Sequence, residues 1–199
     1  MNVVSLFLKA PTLGAVKTRL AKSIGDEGAL IIYCELVEFL LKRIPEANVH
    51  VHYTPDALSE MEGWLGPNYL YHLQEGEGLG DRLTRSMQWE FRTGCDKLIF
   101  LGGDCPFVDQ ERLDEAFAAL DTNDVVIGPA MDGGYYLIGI KQSRPELFAG
   151  VDWGTESVCE TTLSICEREG LSVALLKEES DVDDLESWQK AKRFIRGND

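Results

Sequence analysis

"KLIFLGGDCP", residues 97–106, is a short and very apolar run that stops at two glycines, an aspartate and, two residues on, a proline. So short an apolar run reads as a buried strand and not as a helix. Asp104 then follows the strand directly, with Gly103 before it and Pro106 behind it, and is held at a sheet edge with little freedom. A carboxylate in that place suits Mg2+ or Mn2+, hard ions that bridge one or two carboxylates to substrate phosphates. It could equally cap the turn or helix that follows.

Working outward, strands alternate with helices along nearly the whole chain. Residues 2–8, 48–53, 69–73 and 97–101 read as strands, as do 124–128, 135–140 and 171–176. Helices are expected over 18–44, with a break at "GDEG" (25–28), and over 56–65, 80–92, 109–120 capped by Asp109, 157–169 and 184–196. In the first helix Ile31, Cys34, Val37, Leu41 and Ile44 recur at the three- and four-residue spacing of one buried face. This alternation predicts an α/β fold with a mostly parallel sheet, and one unit over residues 1–199.

In open α/β sheets ligands sit beyond the carboxyl ends of the strands, so the loop after each strand is where chemistry is expected. The loop after the first strand, "KAPTLGAVKTRLAKS" (9–23), holds Lys9, Lys17, Arg19 and Lys22 and no acid. Gly14, Lys17 and Thr18 imitate a phosphate-binding P-loop, but that motif needs an earlier glycine and one directly before the lysine. The ingredients persist: Pro11 and Gly14 shape a turn, the cations supply donors, and a helix begins nearby. A bound phosphate or diphosphate is one reading, and a solvated basic turn is the other.

"GPAMDGGYYLIGI" (128–140) places Asp132 before Gly133, Gly134 and Tyr135. Paired glycines let backbone approach a ligand, and the Asp can accept bonds from sugar hydroxyls or orient a nucleophile. A Gly-Gly hairpin turn explains the same residues. "SDVDD" (180–184) adds Asp181, Asp183 and Asp184, as ligands or as caps of the last helix. His50, His52 and His72 form no nucleophile or zinc pattern and read as strand or surface residues.

With 19 Lys and Arg against 34 Asp and Glu, the net charge of −15 argues against nucleic-acid or anionic-membrane partners. No apolar run reaches the roughly 18 residues of a membrane span, and "NVVSLFL" lacks the marks of a signal peptide, so a cytoplasmic protein without membrane insertion is expected. Five scattered cysteines with no CxxC pair predict reduced, mostly buried thiols.

Six motifs in order, "KAPTLGAVKTRLA", "QEGEGLGDRL", "LGGDCP", "GPAMDGGYYLIGI", "DWGTESV" and "DVDD", run from the first strand to about Leu185. On these residues the chain resembles the bacterial DUF2064 family, glycosyltransferase-like "transferase 1" proteins of the nucleotide-diphospho-sugar transferase superfamily. The resemblance implies a GT-A type fold, a Rossmann-like three-layer α/β/α sandwich with a mostly parallel mixed sheet. It implies a divalent metal on Asp104 with a second ligand from the late loop, Asp183 ahead of Asp181, and nucleotide phosphates held by Lys9, Lys17 and Arg19. It further implies base or ribose contacts from Gln74, Gly80 and Arg82, and it brings Pro11, Gly14, Thr18, Gly103 and Trp153 into the substrate-binding set. One departure is Leu13, where the family pattern often has a second proline.

Relatives in this superfamily transfer either a sugar from a nucleotide-sugar or a nucleotidyl group from an NTP. The expected activity is therefore a metal-dependent transferase acting on a nucleotide or nucleotide-sugar, with glycosyl transfer preferred and Lys17, Arg19, Asp104 and Asp132 as its catalytic residues. The alternatives are a nucleotidyltransferase that releases pyrophosphate and a nucleotide-binding module without catalysis. Self-association as a homodimer is left open.

Overall fold

The computed structural model describes residues 1–197, so the last two positions of the expected 1–199 unit lie outside the described residues. Seven strands form one sheet: β1 (Asn2–Lys9), β2 (Val49–Thr54), β3 (Leu70–Leu73), β4 (Lys97–Gly102), β5 (Val125–Pro129), β6 (Tyr135–Ile140) and β7 (Val173–Leu175). Their spatial order is β3-β2-β1-β4-β6-β5-β7. β6 runs antiparallel to β4 and β5, while β1 pairs parallel with β2 and β4, β2 with β3, and β5 with β7. The sheet is mixed and mostly parallel, as the alternation of elements predicts.

Among the described residues six α-helices cover it: α1 (Thr18–Arg43), α2 (Leu58–Leu65), α3 (Leu79–Arg92), α4 (Gln110–Thr122), α5 (Val158–Arg168) and α6 (Leu185–Arg196). Side chains alternate along each strand, so one strand feeds two cores. Val4, Leu6 and Leu8 of β1 join Val37 and Leu40 of α1, Met61 of α2 and Leu113 of α4. On the opposite face Val3, Leu98 and Phe100 pack with Leu83 and Met87 of α3 and Ile165 of α5. A third cluster docks α6 on the outside of α1 through Leu20, Ile32, Leu36, Trp188 and Ala191. Among the described residues no helix is long and apolar enough to cross a membrane.

Two details differ from expectation. α1 breaks at Gly25 (φ 78°), within the expected "GDEG" interruption, but its buried face is Ala29, Ile32, Tyr33, Leu36, Val37 and Leu40. Ile31 is 65% exposed, and Cys34 and Leu41 are only partly buried, while Val37 and Ile44 are buried as expected. Periodicity allowed two phases one residue apart, and the docking of α6 on Ile32 and Leu36 selects this one. The second difference concerns His50 and His52, which are in β2 but buried, 7% and 1% exposed. Both donate to the Glu90 carboxylate of α3 at 2.8–2.9 Å, and Ser5 of β1 donates to it at 3.2 Å.

Candidate functional site

All strands except β6 point their carboxyl ends to one edge, so the loops after β1, β3 and β4, the β5–β6 turn and the segment after β7 gather there. That last segment is laid along the β5–β6 turn and the loop after β4 by backbone bonds: Glu179 N donates to Pro129 O, Met131 N to Glu179 O, and Val182 N to Asp104 O. Asp181 and Asp183 are thereby brought next to Asp104, more than seventy positions earlier in the chain.

Lys17 is the centre of this edge. Its side chain is 4% exposed, and its ammonium lies 2.8 Å from Asp104 Oδ1 and 3.2 Å from Asp183 Oδ1. Burial works against its charge, but the two carboxylates outweigh burial and hold its pKa above the ordinary lysine value. Lys17 is the non-glycine residue with positive φ among those described (φ 47°, ψ 45°) and stands immediately before α1. A left-handed lysine costs about 1–3 kcal/mol, a strain that clusters at functional sites.

The remaining parts hold this geometry. The Tyr33 hydroxyl donates to Lys9 O at 2.8 Å and accepts from Lys9 N at 2.9 Å, pinning the end of β1. Gln74 Nε2 donates to Leu8 O and His52 O, and Arg82 Nε donates to Gly76 O at 3.0 Å, bracing the "QEGEGLGDRL" loop. Asp184 caps α6 in a capping box with Ser187, which leaves Asp183 free to face Lys17 and Arg19.

Two adjoining clefts open here. The first, about 440 Å³, is lined by Lys9, Lys17, Thr18, Arg19, Gln74, Arg82, Gly103, Asp104 and Asp183, and also by Phe7, Tyr33, Thr54 and Leu79. The second, about 800 Å³, is lined by Asp132, Gly133, Gly134, Tyr135 and Trp153 and shares Arg19 and Asp183 with the first. Fourteen of the expected residues thus face these clefts: Lys9, Lys17, Thr18, Gln74, Arg82, Gly103 and Asp104 the first, Asp132, Gly133, Gly134, Tyr135 and Trp153 the second, and Arg19 and Asp183 both.

Pro11, Gly14, Gly80 and Asp181 line neither. Gly80 is buried, and a Cβ there would lie 2.6 Å from Phe148 O and 2.7 Å from Trp153 Nε1, so it works by letting the indole pack on α3. Gly133 (φ 86°) likewise lets the β5–β6 turn lie against the Glu156 backbone. Asp132 Oδ1 accepts from Gly134 N at 2.9 Å, so the hairpin-turn reading holds, and its side chain also faces the second cleft. Phe7, Tyr33 and Thr54 went unread because each sits in an ordinary strand or helix pattern, with no local signal that it ends at the cleft.

The donor set matches a hard cation in chemistry more than in present geometry. Asp104 and Asp183 are oxygen donors, and Asp181 Oδ1 is buried with no hydrogen-bond partner. Burial, reinforced by the charge of Asp104 and opposed by Lys17, pushes the Asp181 pKa up to about 7. Among the described residues, however, no three His, Cys, Asp or Glu side chains stand where they could hold a metal by themselves. One or two carboxylates with substrate phosphates completing the sphere is the arrangement Mg2+ commonly uses.

Residues 39–155 match the family model described as "Uncharacterized protein conserved in bacteria (DUF2064)". No curated protein matches the sequence. Among solved structures, the chain is similar to one from Desulfovibrio desulfuricans G20 described as a "putative nucleotide-diphospho-sugar transferase", with 33% identity and a TM-score of 0.92, covering 100% of this chain and 90% of that one. A 4-diphosphocytidyl-2C-methyl-D-erythritol synthase from Anaerococcus prevotii is 11% identical with a TM-score of 0.64, over 98% of this chain and 96% of that one. A nucleotidyl transferase from Methanothermobacter is 15% identical with a TM-score of 0.64 over 100% of both chains. These last two likenesses show the fold alone.

Proposed function

The chain belongs to the DUF2064 family, and we propose that it is a metal-dependent transferase that takes a nucleotide-diphospho-sugar and passes the sugar to an acceptor. The observation that carries this reading is the buried Lys17 ammonium, poised between Asp104 and Asp183 at the head of a cleft that also presents Lys9, Arg19 and Arg82. In a protein of net charge −15 that concentration of cations matches a small polyanion.

In this reading Lys17 and Arg19 bind the diphosphate and neutralise the charge that grows on it as the glycosidic bond breaks. Asp104 and Asp183 hold Mg2+ or Mn2+ together with the phosphates, and Asp181 lies behind them. When bound, the ion supplies Lewis-acid charge to the leaving group. Gln74 and Arg82, which follow β3, line the same cleft with Thr18 and take the nucleoside. Asp132 is placed to accept a hydrogen bond from a sugar or acceptor hydroxyl.

Four cations on one cleft would also serve a triphosphate, which favours nucleotidyl transfer as the second reading. Pyrophosphate release from an NTP separates the two reactions. A thermal-shift panel of NTPs, NDPs and NDP-sugars, with and without Mg2+ or Mn2+, tests the site itself, since a tight ligand raises Tm by mass action. A rise that needs nucleotide and metal together, and that Asp104→Ala abolishes, is expected. A shift independent of metal would point to a binding module without catalysis, and an Asp104→Ala variant that behaves as the parent would remove the metal assignment.

A further inference from the structure

We propose that the larger cleft takes an uncharged acceptor, a hydroxyl compound with an apolar ring or chain and no phosphate or carboxylate. The proposal rests on the reading above, in which the smaller cleft holds the nucleotide diphosphate.

Charge separates the two clefts. The smaller one sets Lys9, Lys17, Arg19 and Arg82 against Asp104 and Asp183. The larger one has Asp132, Glu156 and Asp183 on its lining and a single cation, Arg19, which Asp183 already approaches at 3.5 Å. A phosphorylated acceptor entering here would meet the carboxylates of Asp132 and Glu156 and, among the described residues of the lining, no cation besides Arg19, which the reading above gives to the diphosphate.

The walls point the same way. Phe7, Phe100, Tyr135 and Trp153 supply aromatic surface, with Phe7 and Phe100 packed edge to face at 5.3 Å and Tyr135 and Trp153 at 6.2 Å. Two large apolar side chains stand out of the packed core at its rim, Leu79 at 43% and Met131 at 69% exposure. Exposed apolar side chains rimming a concave aromatic surface mark a place where an apolar body is buried on binding. Trp153 is fixed against α3 by the missing side chain at Gly80, so this wall is formed before any ligand arrives.

A matched pair of probes tests this: 4-nitrophenyl β-D-glucopyranoside, neutral, and 4-nitrophenyl phosphate, anionic, share one aryl group. Their affinities for the full chain are measured by ligand-observed NMR titration in the presence of Mg2+ and an equimolar mixture of ADP, GDP, CDP and UDP. The melting temperature in the same mixture reports on the smaller cleft. The neutral probe is expected to bind at least about tenfold more tightly than the phosphate, a difference of about 1.4 kcal/mol. Trp153→Ala should weaken it by a further factor of about ten while the nucleotide-induced rise in melting temperature persists. Because Trp153 is packed and its loss could unfold the chain, Glu156→Lys on the exposed rim gives an independent arm, and it should shift preference towards the phosphate. Equal or tighter binding of the phosphate probe, or no binding of the neutral one at millimolar concentration, overturns the proposal while the nucleotide response stands. Loss of the nucleotide response in the parent protein is instead a failure of the transferase reading.

Discussion

Lys17 and Glu90 are both charged side chains withdrawn from solvent, 4% and 0% exposed, and they are buried in opposite ways. Glu90 is enclosed by partners that are themselves buried: His50, His52 and Ser5 close the network between β1, β2 and α3. Lys17 is held by carboxylates that are 42% and 43% exposed and line an open cleft. Both carboxylate oxygens of Glu90 accept hydrogen bonds, and only His72 Nε2 beside the network is left without a partner among the described residues. Around Lys17 there remain a left-handed backbone and a buried Asp181 oxygen with no partner. A buried charge is therefore not a sign of function by itself. The sign is a buried charge whose partners still face solvent and whose backbone is strained.

The largest effect is expected at the closed network. Glu90→Ala leaves two histidines and a serine without their acceptor, and breaking a buried charged set costs about 3–5 kcal/mol. For a chain of this size that lowers Tm by roughly 10 °C, measured by differential scanning fluorimetry. Equal stability would show that the network is looser than its 2.8–2.9 Å distances imply.

At the open site the pattern reverses. Lys17→Met should weaken binding of a nucleoside diphosphate by about ten- to a hundredfold, the worth of a charged hydrogen bond, with little change in the stability of the free protein. Calorimetric titration reads the first and a melting curve the second. A Lys17→Met protein that melts far below the parent yet binds normally would invert the contrast.

The two regions should also differ in the sign of their pH dependence. Burial, together with the charge of His52, lowers the His72 pKa to about 4, so its contribution is complete above the unfolded value near 6.5 and is lost as pH falls towards 4. Burial would push Glu90 up, but the bonds from His50 and His52 hold it down at about 2, so its contribution is lost at still lower pH. Asp181 runs the other way: with its pKa raised to about 7, the folded state is penalised above pH 7 and relieved as pH falls. Asp181→Asn should therefore raise Tm by a few degrees at pH 8 and by almost nothing at pH 4, and His72→Phe should flatten the loss of Tm between pH 6.5 and 4. A pH-independent gain in Asp181→Asn would mean that its carboxyl is not strained by charge.

The smallest expected effect concerns the backbone at Lys17. Lys17→Gly should be more stable than Lys17→Met by about 1 kcal/mol, because glycine adopts φ 47° without strain. Equal melting temperatures for the two variants would show that no strain is stored there.

Sequence alone located the open site better than the closed network, for a physical reason. Asp104, Lys17 and Asp132 sit in loops directly after strands, where glycines and prolines interrupt the pattern and topology brings the loops to one edge. His50, His52 and Glu90 obey ordinary periodicities in a strand and a helix, and they become a network only when α3 packs on β2, a pairing forty residues apart that no local signal encodes. The same limit set the one-residue phase error on α1, and it hid the placement of Phe7 and Thr54 at the cleft. The residues alone left both Asp183 and Asp184 as possible caps of α6, the resemblance singled out Asp183 as the ligand, and the structure makes Asp184 the cap.

The central claim is that Lys17, Asp104 and Asp183 form a diphosphate site completed by a metal that the nucleotide shares. It is tested most directly by titrating Mn2+ calorimetrically into the protein with and without a saturating nucleoside diphosphate, in the parent and in Asp104→Ala. The account predicts weak or undetectable Mn2+ binding to the free protein, tight binding when the nucleotide is present, and loss of that gain in Asp104→Ala. Nucleotide binding that is as tight without metal as with it, and unchanged in Asp104→Ala, would contradict the account.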